Sequence, residues 1–278
     1  MDLELEGRRA LVTGGSRGIG KAVARALARE GADVALLARD PDRLAAAAAE
    51  LSAEFGRRRV VAVVADTGSD AGVERAVADA ASLLGGPIDI LVNAAAEPGG
   101  YAAPPKLAEL EAAHLQREID IKVMGYVRTA RAVAPQMKAR GWGRIVNVSG
   151  LAARQSGNAI GSIRNVAVAA LTKNLADELG PSGINVTVVH PGLTRTERTA
   201  AMVAAQAKAQ GVSEASVLER MAEGNSIRHL VDASEVADVV ASCARQSRSR
   251  STATRSPPAA ARRARSTTEP TRREGSPL

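Results

Sequence analysis

Ala10-Leu11-Val12-Thr13-Gly14-Gly15-Ser16-Arg17-Gly18-Ile19-Gly20 runs from a short apolar stretch through a glycine-rich loop into a segment of helical spacing. Glycines let a backbone approach a bulky anion, and the free N–H groups at a helix start, helped by the helix dipole, stabilise negative charge. A tight turn could use the same glycines. The junction of strand and helix at which they stand favours a cradle for a pyrophosphate.

Outward from this loop the pattern repeats. Apolar runs at 10–13, 33–38, 60–65, 88–93, 144–149 and 185–190 have strand character. Between them lie Ala-rich stretches of helical spacing near 18–30, 41–55, 70–84, 106–139 (two pieces) and 161–179, then 197–209, 213–223 and 233–241. Runs that are apolar on both faces and alternate with helices imply a parallel sheet covered on both sides. The expected fold is α/β, a single doubly wound sheet with right-handed crossovers. Asp40-Pro41, Ser69-Asp70 and Ser234-Glu235 are expected to cap the helices that follow them.

Composition narrows the function classes. The chain has 278 residues, 24% of them charged and 1% aromatic, with one cysteine. Cys243 alone cannot form an internal disulfide, and no Cys/His cluster has zinc-ligand spacing. No apolar run is long enough to cross a membrane, and the acidic start Met1-Asp2-Leu3-Glu4 is unlike a secretory signal, so a cytoplasmic protein is expected. The net charge of +7 belongs to residues 242–278, with nine Arg against Glu269 and Glu274; the first 241 residues balance 28 basic against 28 acidic side chains. That tail lacks the aromatic residues of a nucleic-acid platform, and no nucleic-acid partner is expected.

The spacing Thr-Gly-x-x-x-Gly-x-Gly in residues 13–20 resembles the short-chain dehydrogenase/reductase family, and the likeness extends over residues 7–241. Asp66-Thr67 resembles the family's adenine-contacting segment, and Asn93-Ala94-Ala95-Ala96 its Asn-Asn-Ala-Gly element. Pro191-Gly192 with Thr194 and Thr196 resembles its nicotinamide-holding segment. The resemblance implies a cofactor site of Gly14, Ser16, Arg17, Gly18, Ile19, Gly20, Asp66, Thr67, Asn93, Ala94, Ala95, Pro191, Gly192, Thr194 and Thr196. At the end of the second strand stands Arg39, where a carboxylate would favour NAD(H); an arginine suits a 2'-phosphate, so NADP(H) is expected over NAD(H).

The catalytic positions depart from the family's pattern. Gly161 stands where the resemblance places the Tyr acid/base, Asn165 where it places the Lys, Gly150 at the Ser position and Lys122 at the supporting Asn. Ser149 and Lys122 are the candidate substitutes, with His190 and Tyr101 behind them. Loss of the phenol at Gly161 is expected to leave a hollow. The implied activity is hydride transfer to or from a small carbonyl or alcohol with a non-standard active site; the alternative is a catalytically inactive NADP(H)-binding protein with a regulatory or partner role.

From Ser242-Cys243 onward the pattern stops, and residues 242–278 have the composition of a disordered basic tail. Shifted by one base, Ser251–Ser256 permits Ile-Asn-Gly-Asp-Ala-Ile, so the tail is expected to be a frameshifted reading of the family's last strand. The sheet would then lack that strand, leaving the sixth with an exposed edge, and a homodimer is expected rather than a tetramer.

Overall fold

In the computed structural model, residues 2–97, 105–223, 225 and 227–245 are described. Six parallel strands, β1 (Arg9–Thr13), β2 (Asp33–Ala38), β3 (Val60–Val64), β4 (Ile90–Asn93), β5 (Gly143–Val148) and β6 (Ile184–Val189), form one sheet in the order β3-β2-β1-β4-β5-β6. The expected strands are all present, with ends within two residues. The tail, and with it the frameshift reading, lies outside the described residues except for its first four. Among the described residues β3 and β6 are the edge strands of this sheet.

Side-chain alternation explains why the strands are apolar throughout. Ala10, Val12, Val34, Leu36, Ile90, Val92, Val146 and Val148 face one core with α1 (Gly18–Arg29), α2 (Pro41–Glu54) and α9 (Ala233–Cys243). Leu11, Ala35, Leu37, Leu91 and Ile145 face the other with α3 (Asp70–Leu83), α5 (Gly125–Arg140) and α6 (Ala159–Leu179). The four central strands therefore bury both faces, the signature of a doubly wound sheet.

Local chemistry sets the helix starts. The Asp40 carboxylate accepts from Arg43 N–H and the Ser69 hydroxyl from Gly72 N–H, as expected. Ser234 does not cap: α9 begins at Ala233, its N-cap is Asp232, and the Glu235 carboxylate accepts from Asp232 N–H at 2.7 Å. The stretch expected as two helices over 106–139 is a short turn at Leu107–Glu109, α4 (Ala112–Glu118), a π-helical turn (Ile119–Met124) and α5. Beyond β6 come β7 (Thr194–Arg195), α7 (Thr199–Gln210), α8 (Glu214–Glu223) and β8 (Val231–Asp232); β7 and β8 pair, and Arg195 makes a two-pronged ion pair with Asp232.

Candidate active site

A cleft of about 580 Å³ opens at the carboxyl ends of the strands, above the point where β1 and β4 lie side by side and their connections leave in opposite directions. Parallel α/β sheets place ligands at such a switch point. Its floor is built by close backbone approach. Gly14 has φ +69°, and a Cβ there would stand 3.0 Å from the Ala94 carbonyl group and from Ala95 Cα. Thr13 Oγ1 holds the same loop by accepting from Ala94 and Ala95 N–H, both at 3.1 Å. A Cβ on Gly20 would fall 2.2 Å from the Gly14 carbonyl oxygen, so only glycine lets α1 begin beneath the loop.

The start of α1, like those of α4 and α7, lacks a side-chain cap. Its N-cap, Arg17, supplies no side-chain hydrogen bond, whereas α2, α3 and α6 are capped by Asp40, Ser69 and Asn158. The Gly18 N–H instead donates to the Glu197 carboxylate at 3.0 Å. A helix start without a side-chain cap that takes a distant carboxylate offers N–H groups and dipole charge suited to an anion.

Of the expected cofactor residues, Gly14, Ser16, Arg17, Gly18, Ile19, Gly20, Arg39, Thr67, Ala94, Ala95, Gly192, Thr194 and Thr196 line the cleft. Three others do not. Asn93 is fully buried and spends its amide on Asn147 and Thr129; Asp66 turns back to accept from Gly68 N–H at 2.9 Å; Pro191 is also absent from the lining. A motif marks such residues as near the site without saying which way they face. Arg43, Glu97 and Glu197 also line the cleft and were not expected. Arg39 is engaged by Glu97, with Nη2 donating to Oε1 at 3.1 Å.

Lys122 and Ser149 come together beside the cleft, sealed from it. Lys122 sits in the π-helical turn, is 4% exposed, and donates from Nζ to the Ser149 carbonyl at 2.7 Å and to Asn165 Oδ1 at 2.9 Å. Lys122 and Asn165, distant in sequence, thus meet at the end of β5. Burial brings the Lys122 ammonium down to about 7; nearby Arg164 pushes the same way and Glu118 opposes it. The Ser149 hydroxyl donates to the Asn165 carbonyl at 2.9 Å, anchoring α6 to the end of β5.

The remaining candidates are constrained. His190 Nδ1 is buried without a hydrogen-bond partner, and burial lowers the imidazole below its ordinary range. Tyr101 lies outside the described residues. Tyr126 donates its hydroxyl to the Val148 carbonyl at 2.9 Å, and complete burial pushes the phenol upward, away from proton exchange. The hollow expected at Gly161 is not open: the Asn158 amide accepts from Gly161 N–H, and a Cβ on Gly161 would meet Asn158 Cγ at 3.1 Å.

The short chain dehydrogenase family model matches residues 8–207. The oxidoreductase UcpA of Salmonella typhimurium is 36% identical over 243 residues, covering 86% of this chain and 88% of its own. L-sorbose reductase from Gluconobacter frateurii, solved with NADPH and L-sorbose, superposes with a TM-score of 0.83 at 30% identity over 91% of this chain and 95% of that one. An NAD+-bound xylitol dehydrogenase superposes with a TM-score of 0.76 at 28% identity over 87% and 94%. These matches span the residues that build the sheet and the cleft at its switch point, and the chain belongs to the short-chain dehydrogenase/reductase family of oxidoreductases.

Proposed function

We propose that this protein is an NADP(H)-dependent oxidoreductase acting on a small carbonyl or alcohol, with Lys122 in place of the family's Tyr as proton carrier. The observation that carries the cofactor half is the guanidinium set on the cleft: Arg17, Arg39 and Arg43 stand on it together, interleaved with the carboxylates Asp40, Glu97 and Glu197, and a guanidinium matches a phosphate in two-pronged fashion. Gly14, Gly18 and Gly20 hold the pyrophosphate; Arg39 and Arg43 hold the 2'-phosphate; Gly192, Thr194 and Thr196 hold the nicotinamide end. The bound nicotinamide supplies or accepts the hydride at the substrate carbon.

The protein's own part in the reaction is the proton. In reduction the substrate oxygen gains one proton, and in oxidation it loses one. An amine whose two forms are both populated near neutrality can give and take that proton, and a positioned acid or base contributes about 10²- to 10⁴-fold. Ser149 fixes the Asn165 backbone, and Asn165 in turn fixes Lys122. To reach a substrate, the buried Lys122 side chain has to leave the Ser149 carbonyl and Asn165 and swing toward the cleft.

Fluorescence titration with NADPH and NADH tests the cofactor assignment, and saturable binding that favours NADPH is the expected result. Equal affinity, or none, would remove it. The proton assignment is tested by the pH profile of reduction, expected to fall as pH rises through about 7. Lys122→Met should abolish that limb and lower the rate about 10²-fold or more; turnover without a change in the limb would exclude Lys122. Protein that binds NADPH yet turns over no carbonyl or alcohol would be an inactive binder.

Lys122 also has a readout that does not need a substrate. Its folded pKa lies below the unfolded value of 10.5, so between about 7 and 10.5 the unfolded chain holds the extra proton. Stability therefore rises with pH across that window, and the cost of burying the charge is present in full below it. Thermal unfolding should show this rise in the wild type and its absence in Lys122→Met.

A further inference from the structure

Two carboxylates of this chain sit on the groups assigned above to the dinucleotide's phosphates. Glu197, between β7 and α7, accepts from Gly18 N–H at the uncapped start of α1, across 179 residues of sequence. Glu97, in the segment after β4, holds Arg39 across 58 residues. Neither contact contributes to the core. Both acids line the cleft, and the Arg39 side chain is 56% exposed. A carboxylate resembles a phosphate in charge and in its acceptor oxygens, so each occupies a place that a phosphate also fits.

We propose that Glu197 and Glu97 compete with the dinucleotide's pyrophosphate and 2'-phosphate for Gly18 N–H and Arg39, and thereby set both the affinity and the NADP(H) preference of this protein. The inference rests on the cofactor reading above and adds to it two specificity-determining residues. A ligand that must displace an internal competitor binds more weakly by the reciprocal of the fraction of molecules in which the site is free. The pyrophosphate is common to both dinucleotides, so Glu197 weakens both alike. Only NADP(H) carries the 2'-phosphate, so Glu97 weakens that one alone and narrows the preference Arg39 creates.

Displacement also moves backbone. The segment carrying Glu197 lies over the glycine loop, with Thr196 Cγ2 3.6 Å from where a Gly18 Cβ would stand. It is held at either side by the Arg195–Asp232 pair and by the Thr196 N–H donating to Thr199 Oγ1. Leu193, Thr194 and Met202, on either side of this segment, line the same cleft, so release of Glu197 bears on that wall.

The test is fluorescence titration of the full chain, wild type, Glu197→Gln and Glu97→Gln, with NADPH and with NADH. The amides keep shape and lose charge, and both side chains lie at the surface of the cleft. Glu197→Gln should tighten both dinucleotides by the same factor, about two- to fivefold. Glu97→Gln should tighten NADPH by about two- to fivefold and leave NADH unchanged. The double variant should show the product of the two factors for NADPH. If wild type binds NADPH and either variant leaves its affinity unchanged or weaker, the competition is overturned while the cofactor reading stands. Should neither wild type nor variants bind either dinucleotide, both fall together. A variant that binds where wild type does not would support the competition directly.

Discussion

Gly20→Ala is expected to weaken dinucleotide binding about five- to 150-fold while the rest of the sheet still forms. The added Cβ would stand 2.2 Å from the Gly14 carbonyl oxygen and 2.7 Å from its carbon, both backbone atoms of the loop that cradles the phosphates. No side chain can rotate away to relieve this. Either α1 is pushed off the loop or the loop itself unwinds, and overpacking of this kind costs about 1–3 kcal/mol. Because the strain is relieved by deforming the cradle, the loss falls on the binding-competent state and corresponds to about a five- to 150-fold weaker NADPH affinity. Gly56→Ala is the control. A Cβ there meets nothing closer than Ser52 O at 3.9 Å, and binding should be unchanged. Equal affinity in Gly20→Ala and wild type would mean that the loop does not hold the pyrophosphate.

The contrast between Gly20 and Asn93 shows how far a sequence reading reaches. Strands buried on both faces are continuous apolar runs, so their positions are visible without the structure; the glycine loop is visible because its backbone requirement is a residue type at fixed spacing. Side-chain direction is another matter. Asn93 ends the strand whose following residues, Ala94 and Ala95, line the cleft, yet its own amide points into the core. The two directions differ by one residue of a strand, below what a motif resolves. Lys122 is legible as a candidate, but its burial against Asn165 is not: it sits in a π-helical turn, where an ordinary 3.6-residue period misplaces the helix face. For the Glu97 and Glu197 contacts, partners lie 58 and 179 residues away, and no local pattern encodes them. Asp232 could have been found. Asp232-x-x-Glu235 has capping-box spacing, and the Glu235 carboxylate accepts from the Asp232 N–H as such a box requires.

Asn147→Ala is expected to destabilise the protein by about 3 kcal/mol, because it cuts a directional relay at its middle. Thr129 Oγ1 donates to Asn93 Oδ1 at 2.8 Å, Asn93 Nδ2 to Asn147 Oδ1 at 3.0 Å, Asn147 Nδ2 to Thr172 Oγ1 at 2.9 Å, and Thr172 Oγ1 to the Val168 carbonyl at 2.7 Å. All four side chains are at most 2% exposed, so water cannot replace a lost partner. Truncation leaves the Asn93 amide donor and a Thr172 acceptor unmet, and each buried unsatisfied group costs about 1–3 kcal/mol. The relay joins α5, β4, β5 and α6 directly beneath the cleft floor at Ala94 and Ala95. For a chain of this size about 3 kcal/mol lowers the melting temperature by roughly 6–12 °C. Asn93→Ala should cost a similar amount, and the double variant clearly less than the sum, since both act on one network. If instead the two effects add fully, the amides work independently. If Asn93→Ala loses NADPH affinity at unchanged stability, Asn93 contacts the cofactor after all, and its burial in the core would have to be given up.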